Sequence, residues 1–180
     1  MCCDKRQIYA TDLVAKTGYA DAAPTIYTGG AVTAGKFIHS SAIQISCATL
    51  ETGGHGEVYG IHVVETETGT LQKEDLRFWI FNSAPATAVV QNTLRAFTNA
   101  EVLTLAGFID IVAADYVDTS ATTATVFKDL RNGTAIGGIV VPYNTVATSN
   151  TIYVAIEIRS ATGTFDNASA IQFRLLLRKQ

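Results

Sequence analysis

The chain has 180 residues, of which 16% are charged, with 13 Lys and Arg against 16 Asp and Glu for a net charge of −3. That length suits one domain able to bury roughly 70% of the surface it exposes when unfolded. The balance argues against a protein whose main task is binding nucleic acid, since neutralising phosphates needs a concentrated basic face, and no run of about 18 apolar residues supports a membrane span.

Ala and Thr supply 49 of the 180 residues. A surface of small apolar and hydroxyl groups suits contact with other subunits, where few charges must be desolvated, and equally suits an ordinary Thr-rich β protein. Residues 1 to 35 are small-residue-rich, with Pro24, Gly29-Gly30 and scattered hydrophobes (Ile8, Tyr9, Leu13, Val14, Tyr19, Ile26, Tyr27). Such a segment cannot form a second core, and reads as an extended arm lying on a surface or as a first strand. Residues 36 to 180 form the expected sandwich domain. Cys2 and Cys3 are adjacent and Cys47 sits in a strand-like run. They predict no disulfide framework and point to a reducing compartment, while the absence of an apolar segment before Cys2 gives no support to export.

The first clear alternation is Ile43, Ile45 and Cys47 against Gln44 and Ser46; the next is Tyr59, Ile61 and Val63 against Gly60, His62 and Val64. Between them Gly53-Gly54-His55-Gly56 reads best as a tight turn, since it lacks the Lys-Ser/Thr pair of a phosphate loop. Asp75 to Asn82 predicts a strand with Leu76, Phe78 and Ile80 on one face and Arg77, Trp79 and Phe81 on the other. A face carrying Trp79 and Phe81 needs a cover, either a short helix with Leu94 and Phe97 or a neighbouring subunit. That helix starts at Thr98, whose pairing with Glu101 predicts a capping box; Val102, Leu103 and Leu105 give it an apolar side and Gly107 a left-handed stop, with the next strand opening there.

Thr125 to Lys128 and Gly138 to Pro142 are shorter strand candidates around the turn Arg131-Asn132-Gly133. Strict alternation returns at Ile152, Val154, Ile156 and Ile158 against Tyr153, Ala155, Glu157 and Arg159, predicting one face on a core and one toward solvent or a partner. The last strand repeats it, with Ile171, Phe173, Leu175 and Leu177 inward and Gln172, Arg174 and Arg178 outward. Eight or nine strands, regular turns and one short helix predict an all-β fold, an antiparallel β-sandwich with jelly roll as the expected arrangement.

Chemistry is sparse. His39, His55 and His62 match no zinc spacing, and no nucleophile elbow or cysteine–histidine motif occurs. Glu65 with Glu67 and Asp115 with Asp118 read first as edge or turn charges, because a glycosidase needs a cleft with stacking aromatics. No catalytic, metal or cofactor site is expected. Residues 51 to 75 carry six acids, and residues 159 to 180 carry Arg159, Arg174, Arg178 and Lys179; this is explained by solvated strand faces or by acid-to-base contact between neighbouring copies.

The run DLRFWIFNSAPATAVVQNTLRAFTNAEVLTLAGFIDIVAADYVD, with TIYVAIEIRSATGTFDNASAIQFRLLLRK at the end, resembles the small β-sandwich structural proteins of tailed-phage virions. The shared elements are Ser83-Ala84-Pro85, Asn99-Ala100-Glu101, Gly107 to Asp110 and Asp115 to Asp118, within a resemblance spanning residues 57 to 178. It implies a capsid cement or decoration protein on the virion surface, made in the bacterial host cytoplasm. Its partners would be the major capsid protein and copies of itself, as dimer or trimer, with no direct nucleic-acid or membrane contact. Ile8, Tyr9, Leu13, Val14, Tyr19, Tyr27, Trp79, Phe81, Arg174 and Arg178 are the candidate interface residues. Two rivals stand beside it: a head-fibre or tail adhesin module holding host glycans on an exposed aromatic platform at Trp79, and an enzyme in which His55 and nearby carboxylates converge.

Overall fold

The computed structural model describes residues 16–86, 89–132 and 140–179. In chain order the strands are β1 (Lys16–Ala22), β2 (Val32–Thr33), β3 (Ile43–Ile45), β4 (His55–Thr66), β5 (Leu76–Phe81), β6 (Leu105–Ile111), β7 (Val117–Asp118), β8 (Thr123–Asp129), β9 (Val141–Asn144), β10 (Ile152–Ile158), β11 (Thr162–Gly163) and β12 (Ile171–Lys179). Among the described residues one α-helix, α1 (Asn99–Leu103), precedes β6, and single 3-10 turns follow β6 and β8. The fold is an all-β sandwich. One sheet runs β1-β12-β4-β8-β7 with β9 also on β4, the other runs β3-β10-β5-β6, and β2 pairs with β11. Every strand pairing is antiparallel.

The period-2 patterns place the core. Ile171, Phe173, Leu175 and Leu177 of β12 face Leu76, Phe78 and Ile80 of β5 and Ile152, Val154, Ile156 and Ile158 of β10, all buried in one cluster. Phe78 and Phe173 meet edge-on across the sandwich with centroids 5.2 Å apart. Each such side chain contributes about 1.5–3 kcal/mol by leaving water, so this interior is the main source of stability.

In β4 the alternation changes phase. On β12, Leu177 pairs with Val58 but Leu176 pairs with Gly60, so Tyr59 is an extra, bulged residue. Gly56 and Val58 therefore point inward before the bulge, and Ile61, Val63 and Glu65 after it. Tyr59, expected to share a face with Ile61 and Val63, instead lies half-buried under the Arg131 guanidinium, 4.5 Å from its ring centroid. A bulge adds one residue to one strand and so reverses every side chain beyond it.

Three other expectations are corrected. The capping box forms, with Thr98 N–H donating to Glu101 Oε2 at 2.7 Å and Glu101 N–H to Thr98 Oγ1 at 3.3 Å. Gly107, however, is no helix stop: α1 ends at Thr104, and Gly107 lies within β6, where a Cβ would stand 2.9 Å from Val141 Cγ1. The apolar residues of α1 point outward, Leu103 being 86% exposed, and its buried residue is Glu101. Cys47 lies in the turn after β3 at φ +57 rather than in a strand and is disulfide-bonded, which the expectation of a reducing compartment without a disulfide framework did not foresee.

Residues 16–22 of the N-terminal segment form β1 on the edge of the larger sheet. The strand candidate at 138–142 begins within the described residues as β9, and the turn at Gly133 lies outside them.

Candidate functional site

The outer face of the smaller sheet is closed by the chain itself. Residues 89–97 run back across β5 and β10, tied down by hydrogen bonds from Phe37 N–H to Thr93 O (3.1 Å) and from Asn92 N–H to Phe37 O (2.8 Å). Asn92 takes φ +57, a conformation asparagine tolerates better than most, and its side chain accepts from Lys36 Nζ at 3.1 Å. This brings Phe97 against Phe37, Trp79 and Phe81, with centroids 5.8, 5.5 and 5.1 Å away. Trp79 is thereby 8% exposed and Phe81 0%. Phe97 provides the cover that the sequence required, whereas Leu94 is 66% exposed and takes no part. Trp79 and Phe81 accordingly offer no open aromatic platform.

Beneath that cover lies a buried carboxylate. Glu157, read from alternation as solvent-facing, is fully buried; its Oε2 accepts from Trp79 Nε1 at 2.7 Å and from Arg95, and its Oε1 from Arg159 Nη1 at 3.1 Å. Arg95 also stacks 4.8 Å from the Trp79 ring centroid. A buried carboxylate is tolerable only with donors on both oxygens, which this arrangement supplies.

The opposite face, outside β12, β4 and β8, is open. A cavity of about 450 Å³ is lined by Ala22, Ala23, His62, Val64, Gln172, Phe173 and Arg174. Cross-strand register puts Arg174 beside His62 and His62 beside Phe127. Phe127 is 68% exposed, its ring 6.2 Å from the His62 ring, and Val117 on β7 is similarly open. Thr125 Oγ1 lies 2.7 Å from His62 Nε2 and 3.1 Å from Val63 O, tying the imidazole of β4 to β8. Phe127 escaped the sequence reading because Thr125 to Lys128 has apolar residues on both faces.

A third cluster gathers acids at the end of β4. Glu65 and Glu67 are buried, contrary to their reading as edge or turn charges, and Glu74 of the same acidic run is buried with them. Glu65 Oε1 accepts from the Gln72 and Lys73 N–H groups at 2.7 and 2.9 Å, a concavity formed because Lys73 adopts φ +51. Burial raises the pKa values of Glu65 and Glu74 above the ordinary carboxylate value, and that of Glu67 to about 8. Asp115 pairs with Lys128 at 2.9 Å and Asp118 with Lys73 at 2.7 Å.

Of the other candidate interface residues, Tyr27 is half-buried against the core with its hydroxyl 3.4 Å from Asn92 Nδ2. Arg174 lines the open cavity, and Arg178 pairs with Glu57 at 2.9 Å, joining the acidic and basic runs within one chain. Tyr19 stands opposite Leu176 in β1, and Ile8, Tyr9, Leu13 and Val14 lie outside the described residues. His39 is buried and His55 opens β4, and among the described residues no group of three or more His, Cys, Asp or Glu is placed to hold a metal ion. No helix among them is long and apolar enough to cross a membrane.

No protein-family model matches the sequence, and no curated protein matches it. Among solved structures, the chain is similar to one of Desmodium yellow mottle tymovirus at 12% identity, covering 90% of this chain and 85% of that one with a TM-score of 0.27. It is also similar to one of Triatoma virus at 12% identity, covering 99% and 69% with a TM-score of 0.23. At these scores neither likeness carries weight beyond itself.

Proposed function

We propose that the chain is a virion structural protein, a cement or decoration protein that docks on the assembled phage head and stabilises it through subunit contacts. The observation that carries this reading is the placement of exposed apolar side chains on two separate surfaces: Val102 and Leu103 on α1 by one sheet, Val117 and Phe127 on the outside of the other. Soluble single chains bury such groups where they can, and open apolar positions at well-separated places suit a molecule that touches several neighbours. The charges support it as well. Arg77 with Asp110, Arg178 with Glu57, Lys128 with Asp115 and Lys73 with Asp118 are paired within the chain, so docking desolvates few unpaired ions.

The strand orders 1-12-4-8 and 3-10-5-6 interleave along the chain as in a jelly roll, and we read the sandwich as that arrangement. In this reading the partners are the major capsid protein and other copies of this chain, as dimer or trimer, bound by avidity over a repeating lattice. Neither nucleic acid nor membrane is a partner, and the protein is made in the host cytoplasm and resides on the capsid surface. The test is to mix purified protein with undecorated heads and count bound copies by quantitative mass spectrometry. Saturating occupancy at hundreds of copies, lost in Leu103→Asp or Phe127→Asp, supports the proposal; no binding at micromolar concentration refutes it.

The cavity beside Phe127 favours one alternative, a glycan-binding module. Phe127 and Val64 would meet the apolar side of a sugar ring, and His62, Gln172 and Arg174 its hydroxyl groups. Trp79 is too deeply covered to serve. A glycan-array signal abolished by Phe127→Ala and unaffected by Leu103→Asp would select this reading.

A further inference from the structure

Glu67 and Asp166 meet where the end of β4 passes the loop between β11 and β12. Asp166 N–H donates to Glu67 Oε2 at 3.0 Å, and the Asp166 carboxylate accepts from Thr68 N–H at 2.8 Å and Gly69 N–H at 2.7 Å. The two segments thus hold each other by three backbone donors. Glu67 is 3% exposed, and its other oxygen, Oε1, is buried with no donor. A buried carboxylate oxygen without a donor is costly enough to be rare in native proteins, and the cost disappears when that carboxyl carries a proton.

The surrounding groups push the same way. The charges acting on Glu67 are those of Asp166 and Glu65, both of which oppose its ionisation. Glu74, Asp75 and Tyr116 add negative or neutral groups around Glu65; Lys73, which also pairs with Asp118, is the cation that acts on Glu65 and favours its ionised form, so Glu65 keeps opposing ionisation of Glu67. Asp166 is held down to about 2 by Glu67 and by the Thr68 and Gly69 N–H groups, so the proton belongs to Glu67.

We propose that Glu67 and Asp166 hold one proton between them as a carboxyl–carboxylate pair, forming a latch that opens under alkaline conditions and frees the turn at 67–73 from the loop at 163–170. Opening releases the Glu67 proton to water and leaves two facing carboxylates with too few donors for both. Burial and the Asp166 charge raise Glu67 to about 8, so the latch stays closed through neutral pH and is lost as pH rises through that value.

Two measurements test it. Carbon-13 NMR titration of the Glu67 carboxyl should give a midpoint far above the ordinary glutamate value, moving down in Asp166→Asn where the like charge is gone. Hydrogen exchange at Thr68, Gly69 and Asp166 should accelerate by about tenfold relative to core amides of β12 once Glu67 ionises, and not in Glu67→Gln, whose amide donates at every pH. A Glu67 midpoint in the ordinary carboxylate range, or exchange rates with the same pH dependence in wild type and Glu67→Gln, overturns the latch. If Glu67→Gln fails to fold, the wild-type titration decides.

Discussion

Replacing Phe97 by alanine tests whether this chain closes its own aromatic face. Truncating a fully buried Phe typically costs 3–5 kcal/mol; Phe97 is half-buried, which roughly halves that term to ~2 kcal/mol. It also touches three rings at 5.1–5.8 Å, and aromatic pairs add about 0.5–1.5 kcal/mol beyond area, though pairs sharing one ring do not add fully. The expected loss is therefore about 3 kcal/mol. With a urea slope near 2 kcal/mol/M, the unfolding midpoint should fall by roughly 1.5 M. Trp79 is the chain's one tryptophan, so its fluorescence reports this site specifically. Emission should shift to the red in the native state as water reaches the ring, and Phe97→Leu should largely restore it. An unshifted spectrum with less than about 0.5 kcal/mol of destabilisation would refute the claim that residues 89–97 form the cover.

Glu157→Ala should cost about 3–5 kcal/mol in chemical denaturation, because it leaves Trp79 Nε1 and two guanidinium groups without their shared acceptor. His39 is buried with its pKa lowered to about 4 by desolvation, and its Nε2 accepts from Ile156 N–H at 2.8 Å. The unfolded chain binds this proton first, so the His39 contribution to stability should fall as pH drops from about 6.5 toward 4, by at most ~1.4 kcal/mol per unit and opposite in sign to the Glu67 contribution; it is read as the difference in pH slope between wild type and His39→Gln in thermal melts across that range. Gly107→Ala places a methyl group 2.9 Å from Val141 Cγ1 and should cost about 1–3 kcal/mol in the same melts. Thr98→Ala removes the cap hydroxyl of α1 and should lower stability by about 1 kcal/mol, read from the urea midpoint.

The strands that carry the core were legible because burial on one face writes period 2 into the sequence; β10 and β12 match their expected inward residues one for one. The capping box was legible for the same local reason. What escaped depends on distant parts of the chain. Glu157 looks like a solvent-facing acid until Arg95, some sixty residues away, is folded onto it. Glu65 and Glu67 look like edge charges until turns 72–73 and 166–169 bring N–H groups to them. The Tyr59 bulge leaves no trace in the local pattern, since Tyr, Ile and Val all fit either face. Helix α1 misled by composition: its apolar side chains face outward because a five-residue helix has room to bury just one side, and Glu101 occupies it.

The bulge at Tyr59 sets an unequal tolerance for change along β4. Swapping one residue for another there alters a single contact with Arg131. Removing it would slide the following seven positions by one, turning Ile61 and Val63 outward and sending His62 and Val64 toward the interior, while the pairings with β8 and β12 would need new partners throughout. The spacing of this strand is consequently fixed more tightly than its spelling, and lengthening or shortening it by one would do more harm than most substitutions within it.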